Sequence, residues 1–159
     1  KFNWTAEIVG YSLAVVGVLV AFVQGFLIRK IIPRLGQVKS IYLGMSFSAL
    51  GLLLFGLASE SWMMFAFLIP YCLGGIAGPS IQGVISSQVP ANEQGELQGA
   101  LTSLMSLCGV FGPLLMTNFF AFATAKNSTF HVPGAPFFLA SCLTLVSFYL
   151  SYRTLSKKH

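Results

Sequence analysis

The residues that could shuttle protons, attack a carbonyl or hold a metal are few in this chain, and their positions argue against all three chemistries. There are four carboxylates, Glu7, Glu60, Glu93 and Glu96, and no aspartate. None of the four lies at the centre of an apolar stretch. The two histidines, His131 and His159, fall in a connecting and a terminal segment. Cys72, Cys108 and Cys142 lie inside apolar stretches, without metal-ligand spacing and without a histidine nearby, which is the pattern of small packing residues. No metal cluster, cofactor site or nucleophile–base pair can be assembled from these groups, so the sequence argues against an enzyme. Ionisable groups inside a membrane usually mark proton relays, and only Glu7, near one edge, approaches that description.

What remains is hydrogen-bonding chemistry within apolar surroundings. Gln24, Tyr71, Gln82 and Ser106 interrupt otherwise greasy runs. A glutamine in such a place either bonds a neighbouring helix or lines a polar cavity. A serine either lines a cavity or bonds the carbonyl four residues back. The third run is the most unusual, with Pro70, Gly74, Gly75, Gly78, Pro79 and Gly83 around Tyr71 and Gln82. Proline removes a helix hydrogen bond, and the freed carbonyl must find another partner or face a cavity. Segments interrupted in this way point to a transporter binding site or gate, or to a kinked packing helix. In the fourth run Gly99, Ser103 and Ser106 share a face, and Gly112-Pro113 is expected to interrupt the outer half.

The elements that carry these residues are five apolar stretches, at about 7–28, 41–58, 63–86, 97–123 and 135–152. Each approaches the ~20 residues that a helix needs to cross a bilayer. Composition agrees: the chain is 55% hydrophobic and 8% charged, against about 25% charged in soluble proteins. The expected fold is all-α and transmembrane, a five-helix bundle in contact with lipid. A stripe of Gly10, Ala14, Gly17, Ala21 and Gly25 predicts a close packing face on the first helix. The second, with Gly44, Ser48 and Gly51 in one stripe, is expected to face lipid on most sides. The fifth reads as a peripheral helix anchored by Tyr149 and Tyr152, and Trp4 and Trp62 mark the outer boundary.

The net charge of +5 is a topology signal rather than a nucleic-acid surface. Arg29, Lys30, Arg34 and Lys39 lie between the first two stretches, and Arg153, Lys157 and Lys158 follow the last. Basic loops stay in the cytoplasm, so the segment 29–40 is expected to be a cytoplasmic loop and the C-terminus cytoplasmic, with the N-terminus outside. Segment 87–96 holds no Lys or Arg; Asn92 is expected to cap the following helix, with Glu93 and Glu96 near its positive end. The chain begins at Lys1 without a signal-peptide pattern, and is expected to be a piece of a longer protein.

These residues resemble the C-terminal half of a major facilitator superfamily transporter, and more closely the tetracycline-resistance type of drug:proton antiporter. The resemblance is carried by Trp4-Thr5, Arg34-Leu35-Gly36 with Lys39, Leu43-Gly44-Met45, Trp62-Met63, Gly74-Gly75 through Pro79, Gln94-Gly95-Glu96-Leu97-Gln98-Gly99, Ser103-Leu104 and Gly112-Pro113-Leu114-Leu115. It covers about residues 4 to 150, and the run from Gln94 to Leu115 is its most specific part. The family has twelve helices in two six-helix halves, so the resemblance implies that these five are helices eight to twelve of a 12-helix fold. A missing N-terminal half is implied as partner, together with a small-molecule substrate and protons. Helices eight, ten and eleven line the family's cavity, which implies Gln24, Tyr71, Gln82 and Ser106 as cavity residues. Arg34 and Gly36, in a degenerate copy of the superfamily's basic cytoplasmic motif, are implied in gating. Gly75, Gly78, Pro79, Gly112 and Pro113 are the helix-break candidates. Tetracycline exporters carry a His in helix eight and an Asp in helix nine, where this chain has Val20 and Ser48. The resemblance implies proton-coupled efflux of small amphipathic compounds or drugs across a bacterial inner membrane. A metabolite facilitator of the same superfamily is the alternative, ahead of a membrane scaffold or receptor.

Overall fold

The computed structural model describes residues 4–124 and 134–156. His131, His159, Lys1, Lys126, Lys157 and Lys158 lie outside the described residues. Five helices are long and apolar enough to cross a membrane: α1, Ala6–Leu35; α2, Gln37–Leu57; α3, Ser61–Ser86; α4, Ala91–Thr124; and α5, Ala135–Leu155. No strand occurs among the described residues. The protein is an integral, multi-pass, all-α membrane protein.

The segment expected as a basic loop is mostly helix. α1 continues through Arg29, Lys30 and Arg34 to Leu35, and α2 starts at Gln37. The reason is length. At 1.5 Å per residue, 30 residues extend about 45 Å, well past the ~30 Å hydrocarbon core, so the basic turns stand in water without leaving the helix. The joint is the single residue Gly36, whose φ of 81° is open to glycine but strained for other residues. Its N–H donates to the Ile32 carbonyl at 2.9 Å. Asn92 likewise lies inside a short 3-10 turn, Ala91–Glu93, rather than at a cap. The stabilising side chain there is Gln94, whose Nε2 donates to the Ser86 carbonyl at 2.7 Å and the Val89 carbonyl at 2.8 Å.

α2 is the hub of the bundle, not a lipid-facing helix. It buries Ser40, Ile41, Gly44, Met45, Ala49, Gly51 and Phe55, and packs on both α3 and α5. Its small-residue stripe meets α3 backbone to backbone. A Cβ on Gly44 would stand 2.9 Å from the Cβ of Ala77, and one on Gly51 would stand 2.7 Å from the Cα of Tyr71. Between them, a Cβ on Gly74 would stand 2.8 Å from the Ser48 nitrogen. Without water to bury apolar surface against, membrane helices associate through such close packing. On its other side α2 receives α5. Ser141 Oγ donates to the Ala49 carbonyl at 2.9 Å, and the Phe138 ring lies 2.7 Å from where a Cβ on Gly56 would be. α5 is peripheral, as expected, with Ser141 its only buried residue, yet it has a specific partner in α2.

The small-residue stripe of α1 meets no other helix among the described residues. Space is open beyond Gly10, Gly17 and Gly25, and no described contact covers that stripe. Val23 is the only residue of α1 that is fully buried. α4 buries no residue at all. At the end of the bundle that carries Trp4 and Ser61, the Trp4 Nε1 donates to Ser61 Oγ at 3.0 Å and its ring lies 5.6 Å from that of Phe65, tying the starts of α1 and α3 together.

Candidate functional site

The local irregularities fall where the sequence concentrates its special residues. In α3 the helix tightens to a 3-10 turn at Gly74–Ile76. Pro79 has no N–H to give the Gly75 carbonyl, so the regular ladder cannot run through this point. In α1 the helix widens to a π turn at Val23–Leu27, which holds Gln24. These two turns touch. π turns inside helices often occur at functional sites, and here the turn that holds Gln24 is seated against the broken turn of α3.

The two faces of α3 differ. Cys72, Gly74, Ile76, Ala77 and Ser80 are buried, the Ser80 hydroxyl satisfied by the Ile76 carbonyl at 2.9 Å. Tyr71, Gly75, Gly78 and Gln82, spaced by four, three and four, lie on one exposed face. A Cβ on Gly75 or Gly78 would meet nothing within 4 Å. Tyr71 anchors this face at one end, its ring edge-on to Phe55 at 5.5 Å. Gln82 closes the other end, its Nε2 donating to Gln98 Oε1 on α4 at 2.9 Å.

Ser106 stands apart from this group. It is exposed on α4, and its hydroxyl donates to the Thr102 carbonyl at 2.9 Å. Ser103, Asn118 and Thr124 do the same to the carbonyls of Gly99, Leu114 and Phe120. Ser103, Ser106, Asn118 and Thr124 are thus satisfied within their own helix, whereas Gln94 and Gln98 reach across to α3. Gly112 and Pro113 do not interrupt that helix, which is α-helical from Gln94 to Thr124. Losing one N–H leaves the flanking ladder bonds in place, and such prolines are tolerated in membrane helices. Arg34 is exposed in the last turn of α1 next to the Gly36 joint.

The face carries no carboxylate, imidazole, amine or guanidinium group. Among the described residues no group of three His, Cys, Asp or Glu could hold a metal. What the arrangement can do is bind: two amide side chains, a phenol and open glycine backbone offer donors, acceptors and flat surface. Val20 is half-buried, and Ser48 is half-buried in the α2–α3 seam against Gly74. Gln98 and Gln94 are the polar residues that reading by composition passed over. Both lie in the Gln94–Gly99 run, and their roles depend on what α3 presents across the turn.

Long apolar helices packed on one hub define a polytopic membrane protein. The whole chain, residues 1–159, matches the model of the Major Facilitator Superfamily, and the chain belongs to that superfamily. Its members are carriers rather than enzymes. Among curated proteins it is similar to the class C tetracycline resistance protein of Escherichia coli, 39% identical over 144 residues, which are 90% of this chain and 36% of that protein. The class G tetracycline resistance protein of Vibrio anguillarum is 36% identical over 147 residues, 92% of this chain and 37% of that protein. A hippocampus abundant transcript-like protein of Mus musculus is 27% identical over 168 residues, 92% of this chain and 33% of that protein. The chain therefore spans about a third of the length of these relatives. No solved structure matches it.

Proposed function

We propose that this chain supplies helices eight to twelve of a twelve-helix secondary transporter that exports small amphipathic compounds, with protons as the coupling ion. The single observation that carries this reading is the uncovered face of α3: Tyr71, Gly75, Gly78 and Gln82 stay open while the opposite face is sealed against α2. The unpacked stripe of α1 and the unburied α4 supply the surfaces that an N-terminal half would cover. Alternating access in such carriers comes from rocking two halves around a central site, and the touching irregular turns of α1 and α3 are suited to flex in that motion. The tetracycline resistance proteins support efflux, and Lys and Arg at the Gly36 end of the bundle support a cytoplasmic orientation for that end, in a bacterial inner membrane.

One observation favours a second reading, a metabolite facilitator. The resemblance sets Val20 and Ser48 where the tetracycline exporters have a His and an Asp, and no Asp, Glu, His, Lys or Arg lies at the centre of a described span. Under the first reading the proton is handled by groups in the other half. Export of a fluorescent amphipathic cation from cells expressing the parent carrier separates the two. The efflux reading expects a protonophore to abolish export and Gln82→Ala to reduce it. Carrier-dependent flux that runs only down the substrate gradient and ignores the protonophore contradicts efflux and supports the facilitator.

A further inference from the structure

At the basic end of the bundle, the start of α2 and the last turns of α5 enclose a groove of about 650 Å³. Leu35, Val38 and Leu155 make it greasy, Tyr42 and Tyr152 give it aromatic walls, and Lys39 lines it. No acidic residue does. Arg153, next in sequence to Tyr152, adds a second exposed cation in the final turns of α5. The first turn of α2 has no side-chain cap, so its leading N–H groups have no capping side chain.

A second and independent sign comes from Tyr42. Its hydroxyl is buried and has no hydrogen-bond partner. The ring is held by Phe148 at 5.7 Å and Tyr152 at 5.6 Å. Buried polar groups in native structures are nearly always paired, and an exception asks for a partner outside the chain. The seam also continues inward. A hollow of about 270 Å³ follows α2 and α5 toward the bundle centre, walled by Leu50, Leu53 and Leu145. Phe148, in its wall, meets the Tyr42 ring of the first groove, and Ser46 of its lining stands one turn of α2 beyond Tyr42.

We propose that this trough seats one anionic phospholipid of the leaflet at the basic end. The headgroup phosphate lies at Lys39 and the open start of α2, with the Tyr42 hydroxyl as a further donor, and an acyl chain lies along Leu50 and Leu53. A free inorganic anion would satisfy the charge but leave the apolar floor wet; a lipid satisfies both. The inference depends on the bundle lying in a bilayer and not on what the carrier moves.

The test is native mass spectrometry of the delipidated parent carrier, titrated separately with phosphatidylglycerol and phosphatidylcholine. Wild type should bind one phosphatidylglycerol about tenfold more tightly than phosphatidylcholine, as expected for cations near an anionic headgroup. The double change Lys39→Gln with Arg153→Gln should erase that preference. Tyr42→Phe keeps the ring packing and should weaken phosphatidylglycerol about threefold, the size of one membrane hydrogen bond. Lys30→Gln, on α1 over the Phe26 ring, should change neither. Equal binding of the two lipids by wild type overturns the proposal. So does unchanged phosphatidylglycerol binding in the double variant, or displacement of the lipid by millimolar inorganic phosphate.

Discussion

Gln82 of α3 and Gln98 of α4 share a 2.9 Å hydrogen bond between two helices whose bodies otherwise barely touch beyond the Gln94–Ser86 bond at their turn. Their amides are complementary, one giving an N–H and the other a carbonyl. Hydrogen bonds between membrane helices contribute on average ~0.6 kcal/mol, too little to hold α4 in place alone. The bond is suited to a contact that breaks and reforms as a carrier changes state. Gln82→Ala and Gln98→Ala should each cost under ~1 kcal/mol of stability and yet slow export severalfold. Thermal unfolding and initial export rates of the parent carrier check this together. A double-mutant cycle should give a coupling near the single-bond value, and zero coupling would show that the two amides act separately.

The neighbours Gly74 and Gly75 should respond oppositely to the same change. Gly74→Ala drives a methyl into Ser48 of α2, and overpacking of this kind typically costs about 1–3 kcal/mol. Gly75→Ala meets nothing within 4 Å, and alanine is favoured over glycine in a helix by up to ~1 kcal/mol. Denaturation of the two purified variants should place Gly74→Ala well below wild type and Gly75→Ala at or above it.

Much of this was legible from residue types. The five crossings follow from hydropathy alone, and the break in α3 was signalled by its prolines and glycines around Tyr71 and Gln82. The packing partners were not legible. Gly10, Ala14 and Gly17 on α1 have the same small-residue spacing as Gly44, Ser48 and Gly51 on α2, yet only the second stripe meets another backbone. A stripe states that a helix can be approached closely and does not state by what. The basic segment misled for a different reason: charge marks where a chain meets water, and a helix can do that without ending, as α1 does through Arg29, Lys30 and Arg34.

Gly36 should tolerate no side chain. Its φ of 81° with ψ of 161° lies in a region open almost only to glycine, where other residues cost about 1–3 kcal/mol. Nothing within 4 Å would meet a Cβ there, so the penalty of Gly36→Ala is purely conformational. The variant should lose stability by that amount, and Gly10→Ala, where a Cβ likewise meets nothing within 4 Å, should lose none.

Ser141 fastens α5 to the hub through the Ala49 carbonyl. Ser141→Ala removes a donor without adding bulk and should cost ~0.6 kcal/mol, at most ~1.7 kcal/mol. Ser147→Ala, an exposed serine on the same helix, should be silent. Matching losses in the two variants would mean that the α2–α5 contact is held by packing alone.

The central claim is that one face of α3 lines the path of the transported compound while the other is sealed. Cysteine accessibility tests it directly, in the parent carrier with Cys72, Cys108 and Cys142 changed to alanine. Single cysteines at Gly75, Gly78 and Gln82 should react with a small membrane-impermeant thiol reagent, and a transported compound should protect them. A cysteine at Ile76, which is 1% exposed, should not react. Uniform labelling around α3, or reaction at Ile76 with none at Gly75 and Gly78, would contradict the account.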